Sequence, residues 1–284
     1  MRYLILGASG MAGHIISIYL VEKGHEVYTF SRQSIKYGIN ITGDVKDING
    51  LKELIENYQF DCVVNAVGIL NQKAENSQAE SVFINSYLPH YLAEITKEMK
   101  TKLIHLSTDC VFSGNKGNYI EIDLKDGLSM YERSKALGEI DNLKDLTVRT
   151  SIIGPDLKIQ GIGLFNWFML QDGNIKGYKE VFWSGVTTLK LAHAIEKFSS
   201  SKLHGIIHLT NNQKISKYQL LSLFNSIFRK NALRIDEDLV KKTDKSLINT
   251  RHDIDFNIPS YETMLKEMKE WILNHHDLYP HYEL

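Results

Sequence analysis

Apolar runs alternate with amphipathic stretches over the first 150 residues of the chain. Four strand-like apolar runs each end at, or are followed by, glycine or polar side chains: 3–6, 26–30, 62–68 and 103–109. Three stretches between them have the spacing of amphipathic helices: 15–21, 51–58 and 81–99. Strands that alternate with helices predict an α/β protein, in which right-handed crossovers build a parallel sheet.

The turn after the first strand contains three evenly spaced glycines, Gly7, Gly10 and Gly13. In a strand, turn and helix context, Gly7 permits a tight turn, Gly10 lets the backbone approach a pyrophosphate, and Gly13 lets the helix pack closely. The three-and-three spacing is a variant of the dinucleotide-binding pattern, and a plain strand-to-helix turn is the alternative. We therefore predict a Rossmann-type doubly wound parallel sheet with a dinucleotide site.

The end of the second strand bears on the choice of cofactor. A cofactor without a 2′-phosphate requires a carboxylate there to accept from the ribose hydroxyl. The chain has Ser31 and Arg32 instead, which suit a phosphate and favour NADP(H). The alternative is that Arg32 is only a solvated surface charge.

The pattern becomes less regular after residue 148. Residues 161–186 are rich in glycine and aromatic side chains, whereas 188–198, 216–228 and 260–274 are predicted helices and 205–209 is a predicted strand. We predict a cofactor domain over residues 1–160, completed by about 187–212. Residues 161–186 and 213–284 would form a smaller C-terminal substrate-binding lobe.

Tyr131 and Lys135 lie on one face of a predicted helix, because they are four residues apart. A tyrosine transfers a proton at neutral pH if its pKa falls from about 10 toward about 7, roughly 4 kcal/mol of differential stabilisation. A lysine ammonium about 4 Å away supplies that amount only where the effective dielectric constant is near 20. The pair is thus expected to act as an acid–base catalyst inside a partly desolvated cleft.

Composition narrows the classes of function. The 284 residues carry 33 basic and 34 acidic side chains, so we expect no general attraction to nucleic acid or to anionic membranes. No apolar stretch is long enough to span a membrane, and no leader pattern opens the chain, so the expected location is cytoplasmic. The two cysteines, Cys62 and Cys110, lie in apolar runs, which fits a reducing compartment. The histidines show no metal-binding spacing, and no metal site is expected.

Three features occur together in this chain: the glycine turn, Ser107-Thr108-Asp109, and the Tyr131/Lys135 pair. Together they resemble the extended short-chain dehydrogenase/reductases, and the chain is most similar to their dTDP-4-dehydrorhamnose reductase branch. The stretches that carry the similarity extend over nearly the whole chain: 107–114, 134–139, 149–151, 185–188 and 249–251.

The resemblance implies a role for each matching residue. Tyr131 would be the general acid, Lys135 would lower its pKa and bond the nicotinamide ribose, and Thr108 would polarise the substrate carbonyl. The residues implied to bind NADP(H) are Gly7, Gly10, Met11, Ser31, Arg32, Asp44, Val45, Ala66, Val67, Gly68, Tyr131 and Lys135. The substrate is implied to contact Thr108, Asp109, Cys110, Ile152, Trp183 and Arg251.

Several of these substrate-side positions depart from the branch. Cys110 stands where a tyrosine is usual, Ile152 replaces a tryptophan, and Trp183 lies in a stretch that usually contains an Asp-Gln pair. Cys110 is expected to be a small filler rather than a nucleophile. Trp183 could stack on a base or belong to the core, and Arg251 could bind the diphosphate or form a structural ion pair.

The resemblance thus implies an NADPH-dependent reductase of the 4-keto group of a nucleotide-linked 6-deoxy sugar, acting in polysaccharide sugar synthesis. The identity of the nucleotide (dTDP, UDP or GDP) stays open, and so does the question whether the chain forms a homodimer. An epimerase or dehydratase is the alternative enzyme, although these usually prefer NAD. A non-catalytic dinucleotide-binding regulatory subunit is the alternative from another class, against which the intact Tyr131 and Lys135 argue.

Overall fold

Two β-sheets and a pair of short strands organise the chain, which a computed structural model describes over residues 1–284. The strands, in chain order, are β1 (Arg2–Leu6), β2 (Glu26–Ser31), β3 (Ile39–Thr42), β4 (Cys62–Asn65), β5 (Lys102–Ser107), β6 (Leu146–Arg149), β7 (Ile152–Ile153), β8 (Asn174–Trp183), β9 (Val186–Thr187), β10 (Gly205–His208), β11 (Ile215–Ser216) and β12 (Arg234–Asp244). The central sheet has seven strands in the order β10-β6-β5-β4-β1-β2-β3. All of its pairs are parallel.

Ten α-helices connect and cover the strands. They are α1 (Met11–Glu22), α2 (Ile48–Tyr58), α3 (Asn71–Asn76), α4 (Gln78–Ser81), α5 (Leu88–Ile95), α6 (Met130–Leu137), α7 (Leu164–Met169), α8 (Thr188–Ser199), α9 (Lys217–Phe228) and α10 (Tyr261–Asn274). A π-helix spans Val82–Tyr87, and 3₁₀ turns span Asp109–Val111 and His276–Leu278. None of the helices is long and apolar enough to cross a membrane.

The central sheet is covered on both faces, as β1 illustrates. Successive side chains of a strand point to opposite faces, so Tyr3 and Ile5 join the larger hydrophobic cluster while Leu4 and Leu6 join the smaller one. The order of strands reverses between β1 and β4, where the chain changes the face on which it crosses over. The prediction of a Rossmann-type doubly wound sheet is confirmed.

A second sheet, in the order β11-β8-β12, lies outside the central one. Strand β8 falls in the aromatic-rich segment, and β12 was not anticipated, because its mixture of charged and apolar residues lacks a clean alternation. The larger cluster contains Ile5 of the central sheet together with Phe224 of α9 and Trp271 of α10. Because this core is continuous, the division into two lobes stays a prediction.

The expected single helix over residues 81–99 is wrong in one respect. Residues 82–87 form a π-helix between α4 and α5. The wider turn coincides with two buried polar side chains, Asn85 and Ser86, that bond outside the helix. π-Bulges of this kind often occur at functional sites.

Candidate active site

An open cleft of ≈ 780 Å³ lies at the carboxyl ends of β1, β2 and β4. Its lining includes every predicted dinucleotide-binding residue except Met11, Tyr131 and Lys135: Gly7, Gly10, Ser31, Arg32, Asp44, Val45, Ala66, Val67 and Gly68. Gly7 has φ +82°, and a Cβ on Gly13 would lie 2.2 Å from the Gly7 carbonyl oxygen. The tight turn and the start of α1 therefore both require glycine.

The charges in this cleft fit an anionic ligand. Arg32 and Lys73 line it, are exposed, and take part in no ion pair. Lys46 also lines it, but its ammonium pairs with Glu80 at 3.2 Å. Unneutralised cations beside an open turn at a helix N-terminus suit a phosphate-bearing dinucleotide. The sequence analysis missed Lys46 and Lys73; the adjacency of Lys46 to Val45 was the only available signal.

Helix α6 presents Tyr131 and Lys135 beside Thr108. A capping box starts the helix: Glu132 donates its backbone N–H to the Ser129 hydroxyl, and the Glu132 carboxylate accepts from the Ser129 N–H. Thr108 lies just beyond β5, where its hydroxyl donates to the Asp109 carboxylate at 3.1 Å. The structure thus brings these three predicted residues together at one sheet edge.

Lys135 is buried and held by two acceptors. Its ammonium donates to the Leu106 carbonyl oxygen at 2.7 Å and to Nε2 of His105 at 3.3 Å. The other ring nitrogen of His105 lies 3.2 Å from the side-chain amide of Asn65, its direct partner across β4 and β5. Burial and the nearby ammonium hold the pKa of His105 well below its usual range, so the imidazole is neutral.

The surroundings of Tyr131 raise the pKa of its phenol. Burial raises the pKa of the Tyr131 phenol, Cys110 and Asp109 raise it further, and a hydrogen bond with Thr108 only partly opposes them. The role expected for Lys135, lowering this pKa, stays a prediction; its ammonium is held by His105 and Leu106. Burial also lowers the pKa of Lys135, to about 8. At neutral pH the phenol therefore keeps its proton and can donate it.

Buried polar contacts fix the position of α6. The Asn85 amide donates to the Ser134 hydroxyl at 3.0 Å, and the Ser86 hydroxyl donates to the Ser134 carbonyl at 2.7 Å. The helix ends at Gly138, where a Cβ would lie 1.8 Å from the Asn85 carbonyl oxygen. The π-helix and α6 therefore approach too closely for any side chain at position 138.

A buried ion pair anchors the chain just after α6. Arg149 donates to both carboxylate oxygens of Glu139 at 2.7 Å, and Ser107 donates to the same carboxylate at 2.7 Å. The pair ties the end of the α6 segment to β5 and β6, so it serves to position α6.

The predicted substrate-side residues do not all face one space. Asp109 and Cys110 lie beside Tyr131, since both influence its pKa. Ile152 is half-buried on β7 and pairs with Val186. Trp183 is only 2% exposed within the larger cluster, where it contacts Tyr261. The surroundings of Trp183 therefore favour a place in the core over stacking on a nucleotide base.

Arg251 lies away from the crevice. Its guanidinium forms an ion pair with Asp253 and donates to the carbonyls of His204 and Ile206, near the amino-terminal half of β10. The crevice is at the opposite, carboxyl end of the sheet. These contacts favour the structural ion pair over the diphosphate role, because the donors are already satisfied there.

A glycine-rich dinucleotide turn and a neighbouring Tyr/Lys helix define a class, the Rossmann-fold oxidoreductases of the extended short-chain type. Residues 1–155 match the family described as the RmlD substrate binding domain. The chain belongs to this family, the predicted dTDP-4-dehydrorhamnose reductase-like branch.

Individual relatives are consistent with this family assignment. The spore coat polysaccharide biosynthesis protein SpsK of Bacillus subtilis is 29% identical over 77% of this chain and 76% of its own length. A dTDP-4-dehydrorhamnose reductase of Aggregatibacter actinomycetemcomitans is 30% identical, but the match covers only 49% of this chain and 45% of that protein. A Bacillus anthracis dTDP-4-dehydrorhamnose reductase, solved with NADP, has a TM-score of 0.81 at 19% identity, covering 95% of this chain and 99% of that one. That last likeness concerns the fold alone.

Proposed function

We propose that the chain is an NADPH-dependent reductase of the 4-keto group of a nucleotide-linked 6-deoxy sugar. The observation that carries this proposal is the convergence of Thr108 and a protonated Tyr131, with Lys135 behind them, next to the dinucleotide cleft. The dTDP-linked substrates named for relatives of the family support the substrate class.

Thr108, Tyr131 and Lys135 have distinct roles in the proposed carbonyl reduction. The cofactor, when bound, supplies a hydride. Thr108 polarises the substrate carbonyl through its hydroxyl, and Tyr131 donates the proton that the resulting alkoxide requires. Lys135 keeps a positive charge near the phenol as its proton leaves. The burial that raises the pKa of Tyr131 favours the protonated donor, which is the form that reduction needs.

Arg32 supports NADPH over NADH. It follows β2 at the place where a ribose 2′-hydroxyl would require a carboxylate, and it is an unpaired cation on the cleft. The nearby exposed Lys73 adds a second unpaired cation.

The test is loss of nicotinamide absorbance, with NADPH and NADH in parallel, on 4-keto-6-deoxy sugars carrying dTDP, UDP or GDP. We expect turnover with NADPH and one nucleotide class, and a fall of about 10²- to 10⁴-fold in kcat for Tyr131→Phe. Tyr58→Phe, at an exposed tyrosine, is the matched control and should leave kcat unchanged. Tight NADPH binding without turnover of any substrate would contradict the reductase and favour the regulatory alternative.

A further inference from the structure

His14 is a fully buried titratable side chain in the first turns of α1, next to the glycine turn of the cleft. Burial lowers the pKa of its imidazole to about 4, so the ring is neutral at pH 7. A buried neutral imidazole needs one hydrogen-bond acceptor and one donor for its two nitrogens. Both are present: Nδ1 lies 2.9 Å from the Gly10 carbonyl oxygen, and Nε2 lies 2.8 Å from the Tyr279 hydroxyl.

These two contacts determine which ring nitrogen of His14 carries the proton. The Gly10 carbonyl oxygen can only accept, so Nδ1 holds the proton and donates it. Nε2 is then the acceptor, and the Tyr279 hydroxyl donates to it. The Tyr279 oxygen accepts in turn from the indole N–H of Trp271, 3.4 Å away. Tyr279 is only 1% exposed, so water does not compete for its hydroxyl.

The last acceptor of this chain of hydrogen bonds belongs to the dinucleotide turn. The Gly10 carbonyl also accepts the backbone N–H of His14 at 3.0 Å, so two donors hold one oxygen. That oxygen and the Met11 N–H belong to the same planar peptide group, so fixing one fixes the other. Gly10 lines the cleft and, as the N-cap of α1, has no side chain to bond the first-turn N–H groups. Those groups have no partner within the helix and suit an anion.

The segment that supplies Tyr279 contacts α1 at a second point. Nε2 of His275 lies 2.7 Å from the carboxylate of Glu22, the last residue of α1. This contact is at the end of the helix that faces away from the cleft, and half of the Glu22 side chain is exposed. Of the two contacts, therefore, only the one through Tyr279 and His14 leads to the cofactor cleft.

We propose that His14 and Tyr279 are positioning residues for the dinucleotide. Tyr279 fixes the ring of His14, and the ring holds the Gly10 carbonyl so that the Met11 N–H is presented to a cofactor phosphate. Neither His14 nor Tyr279 lines the cleft, so both act through the backbone. The proposal rests on the proposed function only for its cofactor. It makes a residue 265 positions after His14 part of the dinucleotide site.

The experiment replaces the two nitrogens of His14 one at a time. Asparagine places an amide N–H near the position of Nδ1 and can keep the bond to Gly10, whereas glutamine places an amide oxygen near Nε2 and can keep the bond to Tyr279. NADPH is titrated into each variant without sugar, and binding is followed by nicotinamide fluorescence. We expect His14→Gln to weaken NADPH binding by about tenfold and His14→Asn by about threefold. Tyr279→Phe, which removes only the hydroxyl, should resemble His14→Asn.

Two control variants separate this effect from a general loss of packing. Tyr261→Phe removes a buried hydroxyl that donates to the Gln213 carbonyl, and Glu22→Gln weakens the contact with His275 at the other end of α1. Both should bind NADPH within about twofold of wild type. Urea denaturation of all five variants measures their stability independently of the cofactor.

The proposal is overturned if His14→Gln binds NADPH as tightly as wild type or as tightly as His14→Asn. It is also overturned if NADPH affinity follows stability across the five variants, because His14 and Tyr279 would then contribute packing alone. Failure of the wild-type protein to bind NADPH or NADH would overturn both this proposal and the proposed function. Dinucleotide binding that depends on His14, without reduction of any keto sugar, would contradict the reductase and support the positioning role.

Discussion

Two lysines with a lowered pKa, the buried Lys135 and the half-buried Lys217, have opposite surroundings. Burial lowers the pKa of each to about 8. The ammonium of Lys135 has two acceptors, the Leu106 carbonyl and His105, whereas that of Lys217 has none. Lys135 is therefore held in place by the fold, and the Lys217 ammonium is not.

The difference reflects the parts of the fold to which the two lysines belong. Lys135 belongs to α6, which contacts the central sheet and the π-helix through buried polar bonds such as that from Ser86 to the Ser134 carbonyl. Lys217 starts α9, beside the second sheet. Hydrogen bonds thus fix the position of the Lys135 ammonium, whereas no such bond holds that of Lys217.

The largest effect is expected from disturbing the contact between α6 and the π-helix. In Gly138→Ala the new Cβ would lie 1.8 Å from the Asn85 carbonyl oxygen, so α6 must move or the π-helix must yield. We expect the free energy of unfolding to fall by about 3 kcal/mol, measured by urea denaturation, and kcat to fall with it. In the control Gly163→Ala the new Cβ meets only the flexible Met11 side chain, at 3.0 Å. Equal stability of Gly138→Ala and wild type would show that the two helices are not tightly docked.

A smaller effect should follow from removing the acceptor of the paired lysine. His105→Leu keeps the site apolar but deprives the Lys135 ammonium of one hydrogen bond, which stabilises its charged form. We expect kcat to fall by about tenfold to a hundredfold. Because the pKa of Lys135 should drop further below about 8, the loss of activity at alkaline pH should begin at a lower pH.

The matched variant is His105→Gln, whose side-chain carbonyl can still accept from Lys135. It should recover most of the activity and return the alkaline limit toward that of wild type. An identical pH profile in His105→Leu and wild type would show that His105 only fills space.

The sequence predicted the parts of the site that local spacing determines. The glycine turn, the strand ends and the Tyr131/Lys135 pair are each read within a few residues, and the structure brings them to one sheet edge. His105 could have been noticed as a polar residue inside an apolar strand. Its role could not, because the partner Asn65 is 40 residues away and meets it only through the register of β4 and β5.

Long-range placement also explains what the sequence could not decide. Arg251 resembles a diphosphate ligand in sequence, but the fold carries it to the far end of β10, where Asp253 and backbone carbonyls satisfy it. Lys217 has no distinguishing neighbour in the chain, and its unpaired state is visible only once α9 is positioned. Whether a charge is paired is a property of the tertiary structure, and composition does not record it.

The smallest effect is expected in the stability of a variant that lacks the unpaired lysine. The folded pKa of Lys217 is about 8, against an ordinary value of 10.5, so between these pH values the unfolded chain binds more protons than the folded one. The penalty is complete below pH 8 and disappears as pH rises toward 10.5. Lys217→Met should therefore raise the free energy of unfolding by about 1–2 kcal/mol at pH 7, and the gain should shrink at alkaline pH.

The contribution of Lys135 to this pH dependence is present in both proteins and cancels. Urea denaturation across this pH range, with Lys176→Met as an exposed control, gives the comparison. A Lys217→Met protein less stable than wild type at pH 7 would mean that the ammonium stabilises the fold, and the contrast between the two lysines would no longer hold.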